Sequence, residues 1–170
     1  MSVEEKYGAL GTVIGHEISH AFDINGAQYD KDGNVVNWWT EKDKAEFDRR
    51  AEKLIRYYDG IVAFDNGTPV RGKIVQTEAI ADMTGMQCMQ KMAEKIEDFA
   101  YETFFRANAF LWARTGSLQS AESRVLYDVH PLNYLRCNVV AQQFEEFYQT
   151  FGVKEGDGMY LAPEDWLIIW

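Results

Sequence analysis

The residues best able to do chemistry stand together near the start of the chain, as His16-Glu17-Ile18-Ser19-His20. Histidines at i and i+4 share one face of a helix, so both imidazoles can reach a single ion. A glutamate at i+1 lies close to that face and can sit beside a water held on the metal. Zinc suits the pair, because it accepts neutral imidazole nitrogens tetrahedrally and brings the pKa of its water down to about 7. Five positions with two wildcards carry modest information, however, and an ordinary helix can hold the same letters by chance.

A catalytic zinc keeps three protein ligands and leaves a fourth position open. The extension H-E-x-x-H-x-x-G-x-x-H would add a third histidine, but its two further positions hold Asp23 and Gly26. The other solution takes a carboxylate from a later helix. Glu78 fits, with Asp82 four residues on and therefore on the same face. The surrounding stretch, Ile74 to Asp82, is weakly charged and largely apolar. A carboxylate buried there needs a partner, and a metal, or a histidine bound to it, would be one. His130, the third and last histidine, follows Asp128 at i+2 and precedes Arg136. An imidazole or guanidinium beside a hydrolytic zinc can stabilise a developing oxyanion. From spacing alone, a loop histidine without a role is the plainer reading.

These residues need helices to position them. Leu10, Val13, Ile14 and Ile18 recur at helical spacing, which predicts an amphipathic or buried helix over 4–22. Polar and glycine signals break the pattern from Asp23 to Trp39, with turns at Asn25-Gly26 and Asp32-Gly33. Thr40 and Asp43 resemble a capping box that opens a charged helix through about Tyr58. Residues 59–72 read as a loop with a short hairpin around Asp65-Asn66-Gly67 and Pro69. Helical spacing resumes over 74–96, then over an aromatic-rich 98–114, 119–127 and 136–151. The expected fold is mainly α, one domain over 1–170, with little sheet.

Composition agrees. The 170 residues are 46% hydrophobic with a net charge of −10, enough to bury a core. The acidic balance argues against nucleic acid or an anionic membrane surface as partner. No stretch approaches the roughly 20 apolar residues of a membrane span, so no membrane contact is expected from this segment, and the start has no apolar signal-peptide core. Cys88 and Cys137 lack C-x-x-C spacing and read as free thiols. The compartment stays open: cytoplasmic, or cell-surface or secreted.

Three ordered motifs, Val13 to Asp23, Glu78-Ala79-Ile80-Ala81-Asp82 and Asp128-Val129-His130, together resemble the neprilysin and endothelin-converting enzyme family of zinc endopeptidases, including its bacterial oligoendopeptidases. Asp30-Lys31-Asp32-Gly33 before Trp38-Trp39-Thr40 and the terminal Trp170 extend the likeness. The resemblance implies a zincin-type (gluzincin) helical subdomain holding one Zn2+ on His16, His20 and Glu78, with Glu17 as general base. It implies Asp82 as the carboxylate that orients His16, and Asp23 in the same task for His20. His130 would stabilise the tetrahedral intermediate, Asp128 would orient His130, and Arg136 would grip a substrate carbonyl. Substrates would be peptides, cut on the amino side of hydrophobic residues.

The chain departs from the family pattern in places. Thr77-Glu78-Ala79 replaces a usual Gly-Glu-Asn, and Leu167 stands where animal members carry a cysteine, which points to a bacterial member. Family members are several times longer, with an N-terminal edge strand that holds substrate and a domain that closes over the cleft. Neither is found here. Asn108-Ala109-Phe110 matches the strand's tripeptide but lies in a helical stretch. The chain therefore reads as a C-terminal part, weakly active or inactive alone, whose partner is the missing N-terminal part. The alternative is a zinc-binding but inactive scaffold. Asp30 to Asn34 reads as a turn and not a calcium loop, because its acids are out of register.

Overall fold

A computed structural model describes every residue from Met1 to Trp170, and its regular structure is helical, with no strand. Helix α1 (Val3–Lys6) opens on a full capping box: Ser2 Oγ accepts the Glu5 amide, and the Glu5 carboxylate accepts the Ser2 amide at 2.6 Å. The rod then continues through a π-helical turn (Tyr7–Gly11), α2 (Thr12–Ser19) and a 3₁₀ turn (His20–Phe22). This is the helix expected over 4–22, but its faces are not those of a simple amphipathic rod. Leu10 and Ile18 are 60% and 65% exposed. The buried face instead carries Gly8, Thr12, Gly15, His16 and Ser19.

That inward face is small and polar because another helix backbone lies on it. Helix α4 (Gly72–Ala93) crosses α2 antiparallel: Gly85 meets Thr12 and Gly15, while Ser19 Oγ reaches the Ala81 carbonyl at 3.4 Å. A Cβ on Gly15 would stand 2.9 Å from the Gly85 Cα, and one on Gly85 would stand 2.5 Å from the Thr12 carbonyl oxygen. Only glycine on both sides permits this approach.

Helix α3 (Glu41–Asp59) packs on α4 through Phe47, Leu54 and Tyr58, all buried. Its cap is half of the box expected: Thr40 Oγ1 accepts the Asp43 amide, but Asp43 accepts from the Thr40 hydroxyl, not from its backbone. Between α3 and α4 the expected short hairpin is reduced to one bridge, Val62 with Pro69. Helices α5 (Tyr101–Trp112), α6 (Leu118–Tyr127), α7 (Asn133–Ala141) and α8 (Glu145–Phe151) complete the order. The helix expected over 136–151 is thus two. Buried Gln143 sits at the break, holding the Val139 carbonyl with its amide and the Leu167 amide with its oxygen, both at 2.7 Å.

The aromatic-rich helix, α5, stays whole, but its aromatics divide between core and surface. Phe104 and Phe105 are core, whereas Phe110 is exposed. Asn108 is buried and donates to the Gly8 carbonyl at 3.0 Å, so the Asn108-Ala109-Phe110 tripeptide ties α5 to the first rod. Both cysteines are free, Cys88 exposed and Cys137 half-buried. No helix is long and apolar enough to cross a membrane.

The crossing sets a test. Gly85→Ala should destabilise the chain by about 1–3 kcal/mol, the usual cost of overpacking, and should weaken metal binding with it. Thermal unfolding and a zinc titration would measure both; a variant with unchanged stability and affinity would refute the tight approach.

Candidate metal centre

The antiparallel crossing brings two sequence-distant motifs onto one spot. His16 and His20 project from the end of α2 and its 3₁₀ extension, Glu78 and Asp82 from successive turns of α4. Ligand atoms of His16, His20 and Glu78 all lie within 4.8 Å of one another. His16 Nε2 is 3.1 Å from His20 Nε2 and 3.2 Å from Glu78 Oε2, while His20 Nε2 is 3.7 Å from the same oxygen. Four ligands at zinc–nitrogen distances of about 2.0–2.1 Å span tetrahedral edges of roughly 3.3 Å. The triangle has that size.

Charge shows what the triangle is for. The His16 Nδ1 faces Asp82 Oδ1 at 2.8 Å, and the His20 Nδ1 faces Asp23 Oδ2 at 2.5 Å. A carboxylate only accepts, so each Nδ1 carries its hydrogen and each Nε2 presents a lone pair in the neutral ring. Two lone pairs and a carboxylate oxygen then converge. Glu78 Oε2 is buried and accepts no well-aligned hydrogen bond, although His16 and His130 each approach it within 3.2 Å. Those contacts are close enough to act electrostatically but off the line of a bond. Such a cluster calls for a cation. Without metal a proton fills the place: burial lowers the His16 pKa, but Asp82 and Glu78 outweigh it and raise it to about 9. Burial likewise raises the Glu78 carboxyl, and the three histidines bring it below its ordinary value.

Each supporting carboxylate is itself held. Arg136 grips Asp82 bidentately, Nε to Oδ2 and Nη2 to Oδ1, both at 2.7 Å. Its guanidinium lies over the Trp112 ring, 3.9 Å from the centroid, a cation–π contact that fixes the plane of the fork. The structure thus places Arg136 behind a candidate ligand, joined to it through Asp82. Asp23, fully buried, accepts the Asn25 and Gly26 amides at 2.7 and 2.8 Å through its second oxygen. Glu17 follows His16 on the exposed side of α2.

His130 stands at the mouth, its side chain 41% exposed. Asp128 Oδ1 takes the His130 Nδ1 hydrogen at 2.9 Å and the His130 amide at 3.0 Å, so Nε2 points toward Glu78. Arg124 holds the other oxygen of Asp128 at 2.8 Å. Burial raises the Asp128 carboxyl, but the His130 and Arg124 donors bring it down to about 2. Sequence reading missed Arg124 and the Trp112 contact. For Arg124 a signal existed, since it stands four residues before Asp128 on a helical pattern; for Trp112 none did.

Proton and metal compete for His16, which gives a pH prediction. Zinc uptake by the metal-free chain at pH 7 should release about one proton, and apparent affinity should rise with pH until about 9, where His16 is already neutral. Titration calorimetry in buffers of different ionisation enthalpy measures the proton; heats that do not depend on the buffer would contradict it.

With the geometry described, comparison with known proteins gives a consistent answer. The sequence profile of Peptidase family M13 matches residues 2–167. The neutral endopeptidase of Lactococcus lactis subsp. lactis is 41% identical over 169 residues, covering 99% of this chain and 27% of its own length. Human endothelin-converting enzyme-like 1 is 35% identical over 158 residues, 85% of this chain and 20% of its own. Among solved structures, PepO from Lactobacillus rhamnosis superposes with a TM-score of 0.92 at 38% identity, over 100% of this chain and 27% of that one. The Mycobacterium tuberculosis zinc metalloprotease Zmp1, in complex with an inhibitor, superposes with a TM-score of 0.90 at 33% identity, over 99% and 28%. The chain spans about 27% of the length of the bacterial relatives it matches. The chain belongs to Peptidase family M13.

Proposed function

We propose that this chain is the zinc-binding catalytic part of a metalloendopeptidase that hydrolyses oligopeptides. The observation that carries the reading is the convergence of His16 Nε2, His20 Nε2 and Glu78 Oε2 at 3.1–3.7 Å. The Lactococcus lactis relative named above is a neutral endopeptidase, which supports peptides as substrates. The single cluster of this kind supports a stoichiometry of one zinc per chain.

Bound there, zinc would supply Lewis acidity toward water and the scissile carbonyl. The rest is the work of side chains. Glu17, exposed beside His16, accepts a proton from the attacking water and returns it to the departing amine, so the peptide bond breaks with no net proton consumed. His130 has its Nδ1 hydrogen committed to Asp128, which leaves Nε2 to carry a proton toward the carbonyl oxygen as negative charge develops. Asp82 and Asp23 keep the two ligand rings from rotating. Arg136 uses two donors on Asp82, and the remaining N–H groups of its fork are those that would hold a substrate carbonyl.

Cleavage on the amino side of a hydrophobic residue is the specificity we assign. Since the chain spans 27% of its bacterial relatives, we read it as part of a longer peptidase whose remainder supplies substrate-strand pairing and closure, and the activity test belongs to that longer protein.

Elemental analysis of the purified chain should find about one zinc, absent from His16→Ala and from Glu78→Ala. Metal missing from the unsubstituted chain after zinc is offered would overturn the ligand assignment. In the full-length protein Glu17→Gln should retain zinc yet lower kcat by about 10²- to 10⁴-fold, the usual contribution of a general base. Normal turnover in that variant would remove Glu17 from the mechanism.

A further inference from the structure

Away from the metal ligands, a cavity of about 400 Å³ opens between the end of α5, the start of α6 and the first turns of α7. Its size falls within the range of small-molecule sites. In a chain of net charge −10, its lining contains two arginines, Arg114 and Arg124, and no aspartate or glutamate. Its apolar lining includes Phe64, Trp112 and Leu132. The other titratable groups facing the cavity, Cys137 and Tyr134, bring no carboxylate, and burial pushes both further upward from their ordinary values.

The two arginines are prepared differently. Arg124 is fixed, its Nε on Asp128 and its Nη1 on Asn133 at 3.2 Å, and its Nη2 group engages neither. Arg114 is exposed on the segment between α5 and α6, where its side chain can close over an occupant. Helix α7 begins at the cavity wall with Leu132 as its N-cap and no side-chain cap on its first amides, which adds a favourable field for negative charge. A guanidinium fork selects planar carboxylates, and an aromatic and aliphatic wall selects an apolar body.

We propose that this cavity binds an organic carboxylate with an apolar body, its carboxylate held between Arg114 and Arg124. The same chemistry is offered by a free aromatic acid and by the C-terminus of a peptide ending in an apolar residue. The site touches the hydrolytic machinery at two points: Arg124 carries Asp128, which holds His130, and Trp112 carries Arg136. An occupant held by the Nη2 group of Arg124 would therefore share that guanidinium with the carboxylate that orients His130, which places a carboxylate product or metabolite to influence the reaction.

The test uses the metal-free 170-residue chain, so that no carboxylate is bound at the metal ligands and the result does not depend on hydrolysis. Calorimetry with 4-phenylbutyrate should show saturable binding, at least 10-fold tighter than with its neutral amide. Arg114→Gln and the space-filling Ser120→Trp, both at exposed positions, should each weaken binding at least 5-fold, with circular dichroism confirming that each variant folds. N-acetyl-Ala-Phe with a free C-terminus assigns the source: equal or tighter binding marks a peptide terminus, and exclusion marks a free organic acid. No binding of 4-phenylbutyrate at about 10 mM, equal binding of acid and amide, or indifference to both substitutions would overturn the proposal.

Discussion

The contact on which the rest depends is the meeting of two helix backbones at Gly15 and Gly85. Were either residue larger, α2 and α4 would separate by the width of a side chain. His16 adjoins Gly15 and Asp82 lies three residues, about one turn, before Gly85, so their hydrogen bond of 2.8 Å depends on the backbone approach. A metal site tolerates displacements of only about half an ångström in its ligands. Placing ligands on two helices locked by glycine meets that requirement better than loops would. The buried face of α2 is accordingly small and polar, and its larger apolar residues are turned outward.

Around that crossing the charges are arranged in pairs, each with a stated compensation. Asp82 would be a costly buried anion if Arg136 did not grip both its oxygens, and Arg136 is in turn kept flat by Trp112. Asp23 is buried with backbone amides on one oxygen and His20 on the other. Asp128 is shared between His130 and Arg124. Glu78 is the exception, a carboxylate whose inner oxygen has only imidazole nitrogens nearby and no aligned donor. A group left in that condition in a well-packed protein marks the place where something positive belongs, and the raised pKa of His16 is the same statement made by a proton. Metal binding and the integrity of this corner of the fold are therefore linked.

The support for the two histidine roles differs in kind. His16 is buried and braced through Asp82, Arg136 and Trp112, which fixes the direction of its ring. His130 lies on a turn, partly exposed, and is braced only by Asp128 and Arg124.

How much of this was legible in the sequence divides along the range of the interactions. Helical periodicity is local, so the rods around residues 4–22, 41–59, 72–93 and 101–112 could be read from spacing, as could the pairing of His16 with His20 and of Glu78 with Asp82, each one turn apart. The resemblance to a known family joined those motifs into one site. What spacing could not give was the direction of faces. Leu10, Ile14 and Ile18 look like a core stripe, yet they face outward, because the closest packing available to this helix is against glycine. Nor could it give the break at Gln143, where no glycine or proline intervenes and the side chain meets the Leu167 amide, 24 residues away. The cation–π contact of Trp112 with Arg136 and the shared cavity lined by Arg114 and Arg124 are likewise properties of how helices pack. The sequence by itself therefore determined which residues could bind a metal and activate water, since i, i+4 geometry is built into the helix. Only the tertiary structure decided that they meet, what holds them, and which side stays open, because those depend on two backbones approaching within contact distance at a point that no local pattern encodes.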